Sequence, residues 1–411
     1  MNAELRIAYL TSAYARPGDT FIRNEVNELR RLGAVVDTYS IRRTTLDADA
    51  DADVAAHQKS TDFILESGLA KLTLGTLRML ATHPMRFAKA IGLAWRTAAP
   101  GCRGLLLQTA YVMEAAYLAS RLLAQKTQIL HNHIGENSAT VAMLASEMSG
   151  VPFSLTIHGP YIFYAPQKWA LGEKLSRAAF TACISHFCRG QCQMFAPESA
   201  WPRLHVVRCS VQPLFIEEPP PRQPRKQAHF VCVGRLCIEK GQRLLIDAAK
   251  QLIASAPTAR ISFIGDGPDR QPLERAIRDA NLQNQIAILG WQSSQAIRET
   301  LVGATALVIP SMAEGLPIVA MEALASRCPV IATNIAAMSE LIEPGKNGWL
   351  IPSGSVDALT AALQEAAKCA DDQLRQMGEY GRVRVLELHH PSRQTEQLMS
   401  LLQNAASSLS P

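Results

Sequence analysis

Length, composition and charge limit the classes of protein to which this chain can belong. Its 411 residues exceed the size of one ordinary hydrophobic core and favour two domains. Hydrophobic residues make up 48% and charged residues 19%, as in globular proteins that work in water. The formal net charge of +5 is too small to indicate a nucleic acid partner. The apolar runs are too short to span a membrane, and the N-terminal "LRIAYLTS" has the features of a buried strand instead of a signal peptide.

The cysteines favour a cytoplasmic protein with reduced thiols, because they number nine and are scattered along the chain. Three of them, Cys183, Cys188 and Cys192, lie close to His186. Their spacing fits no common zinc motif, and we predict that the segment is helical. We therefore expect no metal site there.

The first half of the chain alternates strands and helices. It begins with the strand "LRIAYLTS", the helix "FIRNEVNELRRLG" ending at Gly33, and the strand "VVDTYSI", and later contains the strands "QILHNHIG" and "FSLTIHG". Between them, Asp47 to Asp53 alternate with alanine, which superficially resembles the Asp-x-Asp of a metal-dependent sugar-nucleotide site. No apolar strand leads into this repeat, so we predict a solvated loop or helix lead-in.

The segment from Ser67 to Met113 is basic and apolar and contains no acidic residue. Its basic residues are Lys71, Arg78, Arg86, Lys89, Arg96 and Arg103. Such a segment, with leucines, Phe87 and Trp95 on one helix face, would bind an anionic membrane surface. The alternative is that the apolar residues are core and the charges are solvated. Pro84 and Gly92 exclude a single long amphipathic helix.

A proline-rich, basic stretch at Glu217 to Gln227 marks a domain linker. We place one domain at 1–218 and a second at 226–391, with a C-terminal helix at about 392–411 packing back on the first. The second half contains the strands "HFVCVG", "RISFIG", "IAILG", "ALVIP" and "PVIAT", with helices between them. This alternation predicts doubly wound parallel sheets, which bind ligands beyond the carboxyl ends of their strands.

The stretch "MAEGLPIVAME" carries two glutamates, Glu314 and Glu322, in an apolar setting. Pro317 predicts a helix start at about Leu316, whose free amides near Gly315 favour phosphate. Eight residues of helix rise would separate the carboxylates by about 12 Å. Because the paired carboxylates of a glycosidase lie roughly 5 to 9.5 Å apart, these two more plausibly hold opposite ends of one ligand. The alternative is a buried helix whose glutamate meets a structural arginine.

Other polar residues and glycines follow the predicted strands of the second half. In "GRLCIEKG", Arg235 and Lys240 form a plausible diphosphate clamp. Gly265 and Gly267 lack the third glycine of a dinucleotide fingerprint, which disfavours a nicotinamide enzyme. Gly290 and Trp291 follow the next strand.

Taken together, "GRLCIEKG", "IGDGP", "LGW", "PSMAEGLPIVAMEALA" and "GVPFSLTIHG" resemble the retaining glycosyltransferases of family 4. The resemblance is sharpest from His229 to Asp357 and implies the GT-B fold, an α/β architecture of two facing doubly wound domains with a cleft between them. The first-half motifs "TSAYARPGDTFIRNEVNELRRLG", "HNHIG" and "IHGPYIFY" resemble the subgroup that makes colanic acid and related exopolysaccharides.

The resemblance implies an acceptor-binding first domain and a donor-binding second domain. It implies that Glu314 lies by the donor sugar, that Glu322 binds the ribose, and that Arg235 and Lys240 bind the diphosphate. It extends the donor site to Gly265, Gly290, Trp291 and the amides of Gly315, Leu316 and Pro317, and places His158 near the reacting carbon. The donor would be a UDP- or GDP-sugar used without metal or other cofactor.

The implied acceptor is a polysaccharide or lipid-linked oligosaccharide at the inner face of the cytoplasmic membrane. Two enzymatic alternatives share the fold, a sugar-nucleotide epimerase and a phosphorylase. A third alternative is a non-catalytic nucleotide-binding scaffold. The arginine, lysine and paired glutamates disfavour the first two, and a scaffold would not need Glu314.

Overall fold

The computed structural model describes residues 4–16, 20–44 and 52–407 and divides into two compact units. Unit 1 comprises the chain up to Arg208 together with the residues from Pro391 onward. Unit 2 comprises Cys209–His390. Most of the aspartate repeat (Asp47, Asp49 and Asp51) lies outside the described residues. Asp53, within helix Ala52–Lys59, forms an ion pair with Arg23 at 3.1 Å.

Each unit contains one parallel sheet. The strands of unit 1 are β1 (Arg6–Thr11), β2 (Val35–Ser40), β3 (Asp62–Phe63), β4 (Ile129–His133), β5 (Phe153–Ile157), β6 (Thr181–Cys183) and β7 (Leu204–Val206), in the order β3-β2-β1-β4-β5-β6-β7. Those of unit 2 are β8 (His229–Val233), β9 (Arg260–Ile264), β10 (Ile286–Ile288), β11 (Ala306–Ile309), β12 (Val330–Thr333) and β13 (Gly348–Ile351), in the order β10-β9-β8-β11-β12-β13.

Helices lie between each strand and the next along the chain, as the crossover connections of a parallel sheet require. In chain order they are α1 (Thr20–Arg31), α2 (Ala52–Lys59), α3 (Leu69–Thr82), α4 (Pro84–Arg96), α5 (Cys102–Ala124), α6 (Asn137–Ser149), α7 (Tyr161–Tyr164), α8 (Leu171–Arg177), α9 (His186–Phe195), α10 (Pro213–Ile216), α11 (Gln242–Ser255), α12 (Arg270–Asp279), α13 (Ser294–Gly303), α14 (Ile318–Ala325), α15 (Met338–Leu341), α16 (Val356–Lys368), α17 (Asp371–Leu388) and α18 (Pro391–Ser407). Among the described residues, none of these helices is both long and apolar enough to cross a bilayer.

Burial on both faces explains the apolar character of the central strands. Every residue of β4 and β5 is buried, as is every residue of β11 and β12. Parallel strands covered by helices on both sides need such continuous apolar runs. The strand-by-strand alternation in the sequence therefore predicted these sheets correctly.

The boundary between the units differs from the expected one, because residues 209–218 belong to unit 2. His389 Nδ1 bonds to the Cys209 carbonyl at 2.7 Å, and Arg382 donates to the carbonyls of Phe215 and Ile216 at 3.2 and 2.7 Å. These contacts hold residues 209–218 on unit 2, so the boundary between the units precedes the proline-rich stretch in the sequence. The C-terminal helix α18 instead belongs to unit 1, where Leu398 and Leu402 lie in the hydrophobic core.

The cysteine-rich segment is also different from its predicted form. Cys183 ends β6, and the Ser185 side chain caps α9 by accepting a hydrogen bond from the Cys188 amide at 3.0 Å. A strand, a turn and a helix therefore replace the single helix that was expected. All nine cysteines are free.

Candidate functional site

The sheet of unit 2 changes winding direction between β8 and β11. Strands β9 and β10 extend the sheet from one side of β8, whereas β11, β12 and β13 extend it from the other. In open parallel sheets this switch point opens a crevice at the carboxyl ends of the strands. The loops that follow β8 and β11 contain Arg235, Lys240 and Glu314, so three of the predicted site residues lie at this crevice.

Lys240 and Glu314 are in direct contact. Lys240 ends a short 3₁₀ turn, and its Nζ donates to Glu314 Oε1 at 2.6 Å. Ser311 Oγ donates to the same oxygen at 2.7 Å. The carboxylate is 8% exposed and the lysine 28%, so solvent reaches the pair chiefly from the lysine side. An ion pair at this position offers a positive charge to an anionic ligand and an acceptor to a hydroxyl.

Tight backbone packing holds the two loops together. The Met312 amide donates to the Glu239 carbonyl at 2.8 Å. Gly241 has φ +67°, and a Cβ there would lie 2.1 Å from the Pro310 carbonyl oxygen. Only glycine fits this position, because any side chain would push the loops apart.

Arg235 and the glycines after β9 and β10 also lie at this edge of the sheet. Arg235 is exposed, and its guanidinium donates to Glu239 at 2.6 Å. The Gly265 amide donates to the Gly290 carbonyl at 2.8 Å, which ties together the loops in which these glycines lie. Trp291, next to Gly290, is 69% exposed and offers a flat apolar surface.

Glu322 is buried on α14, and its partner comes from outside the predicted site. Gln212 Nε2 donates to Glu322 Oε1 at 2.8 Å, and Gln212 Oε1 accepts from Ser294 Oγ at 3.2 Å. Burial raises the pKa of Glu322 to about 7. In the described part of the chain its hydrogen-bond partner is thus an amide, and the alternative of a structural arginine is wrong. No sequence signal pointed to Gln212, which is 110 residues away.

The helix that follows Glu314 begins later than expected. Pro317 is its N-cap with φ −70° and ψ 129°, so α14 starts at Ile318 and Gly315 to Pro317 precede it. The separation of about 12 Å between the glutamates assumed helix rise throughout and does not apply to this segment. The first amides of α14, together with those of Gly315 and Leu316, lie at the N-terminal end of the helix, where anions bind favourably.

His158 belongs to unit 1, unlike the other predicted site residues. It follows β5, and its Nε2 lies 2.9 Å from Nδ1 of His133, the last residue of β4. His133 Nε2 in turn lies 3.0 Å from Glu25 Oε1, and Glu25 is on α1. Sequence analysis missed Glu25 and His133 as functional candidates, although the motif "HNHIG" and the first helix contained them.

Burial controls the protonation of this group. It lowers the pKa of His133 to about 3 and that of His158 well below its ordinary value of 6.5. It raises the pKa of Glu25 to about 7. Both histidines are therefore neutral at physiological pH, and Glu25 changes charge near neutrality.

Two groups of described residues have potential metal ligands within 4.8 Å of one another. The first consists of the sulfurs of Cys183, Cys188 and Cys192, and the second of Glu25, His131 and His133. The Cys188 thiol donates to the Ile157 carbonyl at 3.2 Å. His131 bonds through Nδ1 to Ser154 and through Nε2 to Thr156, at 2.8 and 2.9 Å. Each group offers three ligands where structural zinc takes four, and several of these atoms are already hydrogen-bonded.

Comparison with known proteins relates this geometry to a family. The model of "Glycosyl transferases group 1" matches residues 216–384. The putative colanic acid biosynthesis glycosyltransferase WcaL of Salmonella typhimurium is 31% identical over 188 residues, which cover 44% of this chain and 46% of WcaL. The amylovoran biosynthesis glycosyltransferase AmsK of Erwinia amylovora is 28% identical, with 39% of this chain and 41% of AmsK covered. The chain spans about half the length of these curated relatives.

Solved structures match over nearly the whole chain. Sucrose-phosphate synthase from Thermosynechococcus elongatus superimposes with a TM-score of 0.76 at 17% identity, covering 98% of this chain and all of the other. HepE from Anabaena, solved with UDP-glucose, gives 0.70 at 15% identity, covering 99% of this chain and all of HepE. At these identities the likeness establishes the fold, and the predicted GT-B fold class is confirmed. Residues 216–384 are thus similar to the group 1 glycosyl transferases, within a chain that has the GT-B fold.

Proposed function

We propose that the chain is a retaining glycosyltransferase that moves a sugar from a nucleotide sugar to a polysaccharide or lipid-linked oligosaccharide in exopolysaccharide biosynthesis. The observation that carries the proposal is the Lys240–Glu314 ion pair, which joins the loops after β8 and β11 at the switch point of the sheet. Unit 2 is then the donor-binding unit, and unit 1 binds the acceptor. The names of WcaL and AmsK support the exopolysaccharide assignment.

The proposed chemistry uses charges that the site already contains. As the donor loses its nucleoside diphosphate, positive charge builds on the sugar and negative charge on the departing phosphate. Lys240, Arg235 and the N-terminal end of α14 stabilise that negative charge, while Glu314 accepts a hydrogen bond from the sugar. Before the donor binds, Glu314 and Glu239 pair with Lys240 and Arg235, which keeps both cations oriented within their loop.

The donor is a UDP- or GDP-sugar in this proposal, and UDP-glucose is the first to test. HepE was solved with UDP and with UDP-glucose, and it shares the fold of this chain. Glu322 would accept hydrogen bonds from the ribose hydroxyls, with Gln212 holding its carboxylate in place. The buried position of Glu322 excludes water, which strengthens such hydrogen bonds.

The alternative functions, an epimerase, a phosphorylase or a non-catalytic scaffold, need fewer of the site residues. An epimerase or phosphorylase on this fold would not require Arg235, Lys240, Glu314 and Glu322 together. A non-catalytic scaffold would require the nucleotide contacts but not the sugar-side carboxylate. Glu314 is nevertheless buried and hydrogen-bonded to Ser311 as well as Lys240, which fixes the position of its carboxylate.

A panel of nucleotide sugars, each incubated with the purified protein and oligosaccharide or lipid-linked acceptors, tests the proposal. Release of nucleoside diphosphate with one donor is expected, and Lys240→Ala should lower it by on the order of 100-fold. Lys250→Ala is the matched control, because Lys250 is exposed and pairs only with the surface residue Asp247 among the contacts described. Nucleotide binding without release from any donor would favour the scaffold instead.

The same assay tests whether a metal is needed. We expect no change on adding a chelator, because Lys240, Arg235 and the end of α14 neutralise the diphosphate. Strong inhibition that magnesium reverses would contradict this expectation. It would direct attention to the aspartates between 47 and 53.

We further propose that helices α3, α4 and α5 bring the enzyme to the cytoplasmic membrane face, where a lipid-linked acceptor is found. These helices expose large apolar side chains at Leu69, Leu74, Leu77, Leu80, Met85, Trp95, Leu105, Leu106 and Leu107. Basic residues lie among them, and the stretch from Ser67 to Met113 contains no acidic residue. A surface of this composition suits an anionic leaflet, at about 1 kcal/mol for each basic residue near it.

The structure changes which residues belong to that surface. Trp95 is exposed, but Phe87 is buried, as are Leu93 and Met79, so the expectation that Phe87 faces the membrane is wrong. Arg86 donates to the Ser149 carbonyl at 2.6 Å and Arg96 pairs with Glu173 at 2.7 Å, so both have structural roles.

Cosedimentation with anionic vesicles at low and high salt tests the membrane proposal. Binding should weaken with salt and should fall when Lys71, Arg78, Lys89 and Arg103 are replaced by glutamine. A control variant with glutamine at Arg243, Lys250, Arg275 and Arg278, all exposed in unit 2, loses the same charge and should still bind. If the parent protein stays in the supernatant at low salt, the proposal is wrong.

A further inference from the structure

Three cysteines form a buried cluster at the carboxyl end of β6. Cys183 is the last residue of that strand, and Cys188 and Cys192 lie one turn apart on α9. The three sulfurs lie within 4.8 Å of one another, and each residue is at most 2% exposed. Sulfurs this close reach bonding distance chiefly by rotation of their side chains.

The positions of the three residues favour a disulfide between Cys183 and Cys188. Residues four apart on one helix, such as Cys188 and Cys192, have Cβ atoms about 5 to 6 Å apart, whereas a disulfide requires about 3.5 to 4.5 Å. Cys183 pairs with Ile157 in the parallel ladder of β5 and β6. The Cys188 thiol donates to the Ile157 carbonyl at 3.2 Å. Cys183 and Cys188 therefore lie against the same residue.

The surroundings make Cys183 the reactive member of the cluster. Hydrogen bonds with the Cys188 and Cys192 thiols hold the pKa of Cys183 well below its ordinary value, and the positive charge of Arg189 acts in the same direction. Burial raises the pKa of Cys188. Because the thiolate is the form that attacks a peroxide, oxidation begins at Cys183.

Burial of the cluster limits which oxidants reach it. The outward face of α9 is exposed at His186, Phe187 and Met194, so the helix lies at the surface of unit 1. Local opening of a surface helix admits small molecules to the residues beneath it. Hydrogen peroxide is little larger than water, whereas glutathione is a tripeptide. We therefore expect a hydroperoxide to be the oxidant and expect no mixed disulfide with glutathione in the folded protein.

We propose that Cys183 and Cys188 are a redox modification site, at which hydrogen peroxide produces a reversible disulfide that lowers transfer. The proposed transfer reaction uses neither thiol. The effect on transfer rests on the proposed function in one respect, namely that His158, the residue after Ile157, faces the substrate.

Oxidation proceeds in two steps. The Cys183 thiolate attacks one oxygen of hydrogen peroxide, so that an S–O bond forms, the O–O bond breaks and hydroxide leaves. The sulfur is oxidised to a sulfenic acid and the peroxide is reduced. The Cys188 thiol then loses its proton and attacks the sulfenic sulfur. The S–S bond forms, the S–O bond breaks, and the hydroxide leaves as water with the proton from Cys188.

The disulfide removes a hydrogen bond next to His158. Once Cys188 has no S–H, the Ile157 carbonyl loses this donor at the end of β5. The end of β5, and with it the position of His158, should therefore differ between the reduced and oxidised forms. Small displacements of a group that contacts substrate lower turnover.

Peptide mapping tests the site directly. Trypsin cleaves after Arg177, Arg189 and Arg203, so Cys183 and Cys188 fall in the peptide 178–189 and Cys192 in the peptide 190–203. The full chain is treated with hydrogen peroxide, unfolded in N-ethylmaleimide and digested without reduction. The peptide 178–189 should carry no alkyl group and should be lighter by two hydrogen atoms. Two alkyl groups on this peptide, or a bond joining it to the peptide 190–203, would overturn the proposal.

Other cysteines serve as controls within the same digest. Cys232 and Cys328 are also buried, and burial raises the pKa of each to about 12. Both should still be alkylated at a peroxide concentration that links Cys183 to Cys188. Equal oxidation of all buried cysteines would contradict a specific site. Cys183→Ala should leave Cys188 open to alkylation, whereas Cys192→Ala should still form the link.

Release of nucleoside diphosphate is the second readout. Peroxide should lower kcat of the parent by roughly fivefold, the effect of losing one ordinary hydrogen bond. KM for the donor should not change, because the cluster lies in unit 1. Dithiothreitol should restore kcat, which distinguishes the disulfide from methionine sulfoxide, since the sulfoxide needs a reductase. Cys183→Ala should resist peroxide.

The two readouts keep the failures distinct. If the reduced protein turns over no donor but the link forms, the proposed function fails and the modification site stands. If transfer occurs but the link does not form, the proposed function stands and this inference fails. Equal kcat with and without the link would overturn the effect on transfer through His158.

Discussion

At the scale of single residues, the two glutamates of unit 2 differ in surroundings and should differ in role. Glu314 is paired with a lysine, whereas Glu322 is held by an amide and has a pKa raised to about 7. The Glu314 carboxylate is held in a fixed position by Lys240 and Ser311, as contact with a developing charge requires. A carboxylate held by an amide near its pKa is suited to hydrogen bonds with neutral hydroxyls.

We expect Glu322→Ala to weaken the binding of nucleotide sugar and of free nucleoside diphosphate alike. Glu314→Ala should spare the free nucleotide and mainly lower turnover, because Lys240 remains available to the phosphates. Titration calorimetry on both variants measures this, with the exposed Glu365→Ala on α16 as control. Equal loss of nucleotide affinity in the two variants would refute the division of roles.

The site residues predicted from the sequence follow strands, whereas those that sequence analysis missed depend on contacts between distant parts of the chain. Arg235, Lys240 and Glu314 follow strands of a predicted parallel sheet, so their positions at one edge follow from the strand pattern. Gln212 and Glu25 contact partners 110 and 108 residues away, and only the folded chain brings them together. Polar residues within helical or loop segments carry no signal of such contacts.

At the scale of elements, Gly241 allows the turn from β8 into α11 that places Lys240 against Glu314. Its φ is +67°, and a Cβ at this position would lie 2.1 Å from the Pro310 carbonyl oxygen, which leaves no room for a side chain. The residue before it is Lys240, so any shift of the turn moves the charge that meets Glu314. The strand pattern predicted β8, β11 and the helices that follow them. It did not predict the close approach of the loops that come after these two strands.

Gly241→Ala should therefore lower stability by at least about 1 kcal/mol, from the left-handed backbone alone. It should also lower transfer by on the order of 100-fold, because displacements near 1 Å at a catalytic group have effects of that size. Thermal unfolding and the donor assay measure the two effects. Gly303→Ala is the control, since Gly303 ends α13 with open space around it and its replacement should be neutral or slightly stabilising. Parent-like activity in Gly241→Ala would show that the turn does not position Lys240.

At the scale of the whole molecule, pattern and motif predicted the two sheets and the fold, but not the limits of the units. The proline-rich stretch is compositionally obvious, yet residues 209–218 lie before it and belong to unit 2. Contacts of Arg382 and His389 with that segment decide the boundary, and these partners lie more than 150 residues away. Similarly, the basic segment from Ser67 to Met113 contains both buried and exposed apolar residues. The sequence does not distinguish the two kinds, because burial depends on how the helices pack.

The stability of the molecule should depend on pH through a buried glutamate that is not part of the proposed site. Glu114 on α5 is 5% exposed, and its Oε2 has no hydrogen-bond partner among the described residues. Burial raises its pKa from 4.5 to about 7. Between these values the folded chain keeps a proton that the unfolded chain has lost, so stability falls as the pH rises from 4.5 to 7 and then levels off.

Glu114→Gln removes this titration while keeping the shape of the side chain. At pH 8 the variant should be more stable than the parent, by up to roughly 3 kcal/mol relative to the difference at pH 4.5, from a pKa displaced by about 2.5 units. Melting temperatures of the two proteins at pH 5 and pH 8 measure the difference. Glu198→Gln, at an exposed position of unit 1, should be neutral at both. The same gain in stability for Glu114→Gln at pH 5 and pH 8 would contradict this prediction. It would mean that the pKa of Glu114 is not raised by folding, because an ion or a water molecule bound beside the carboxylate stabilises its charged form.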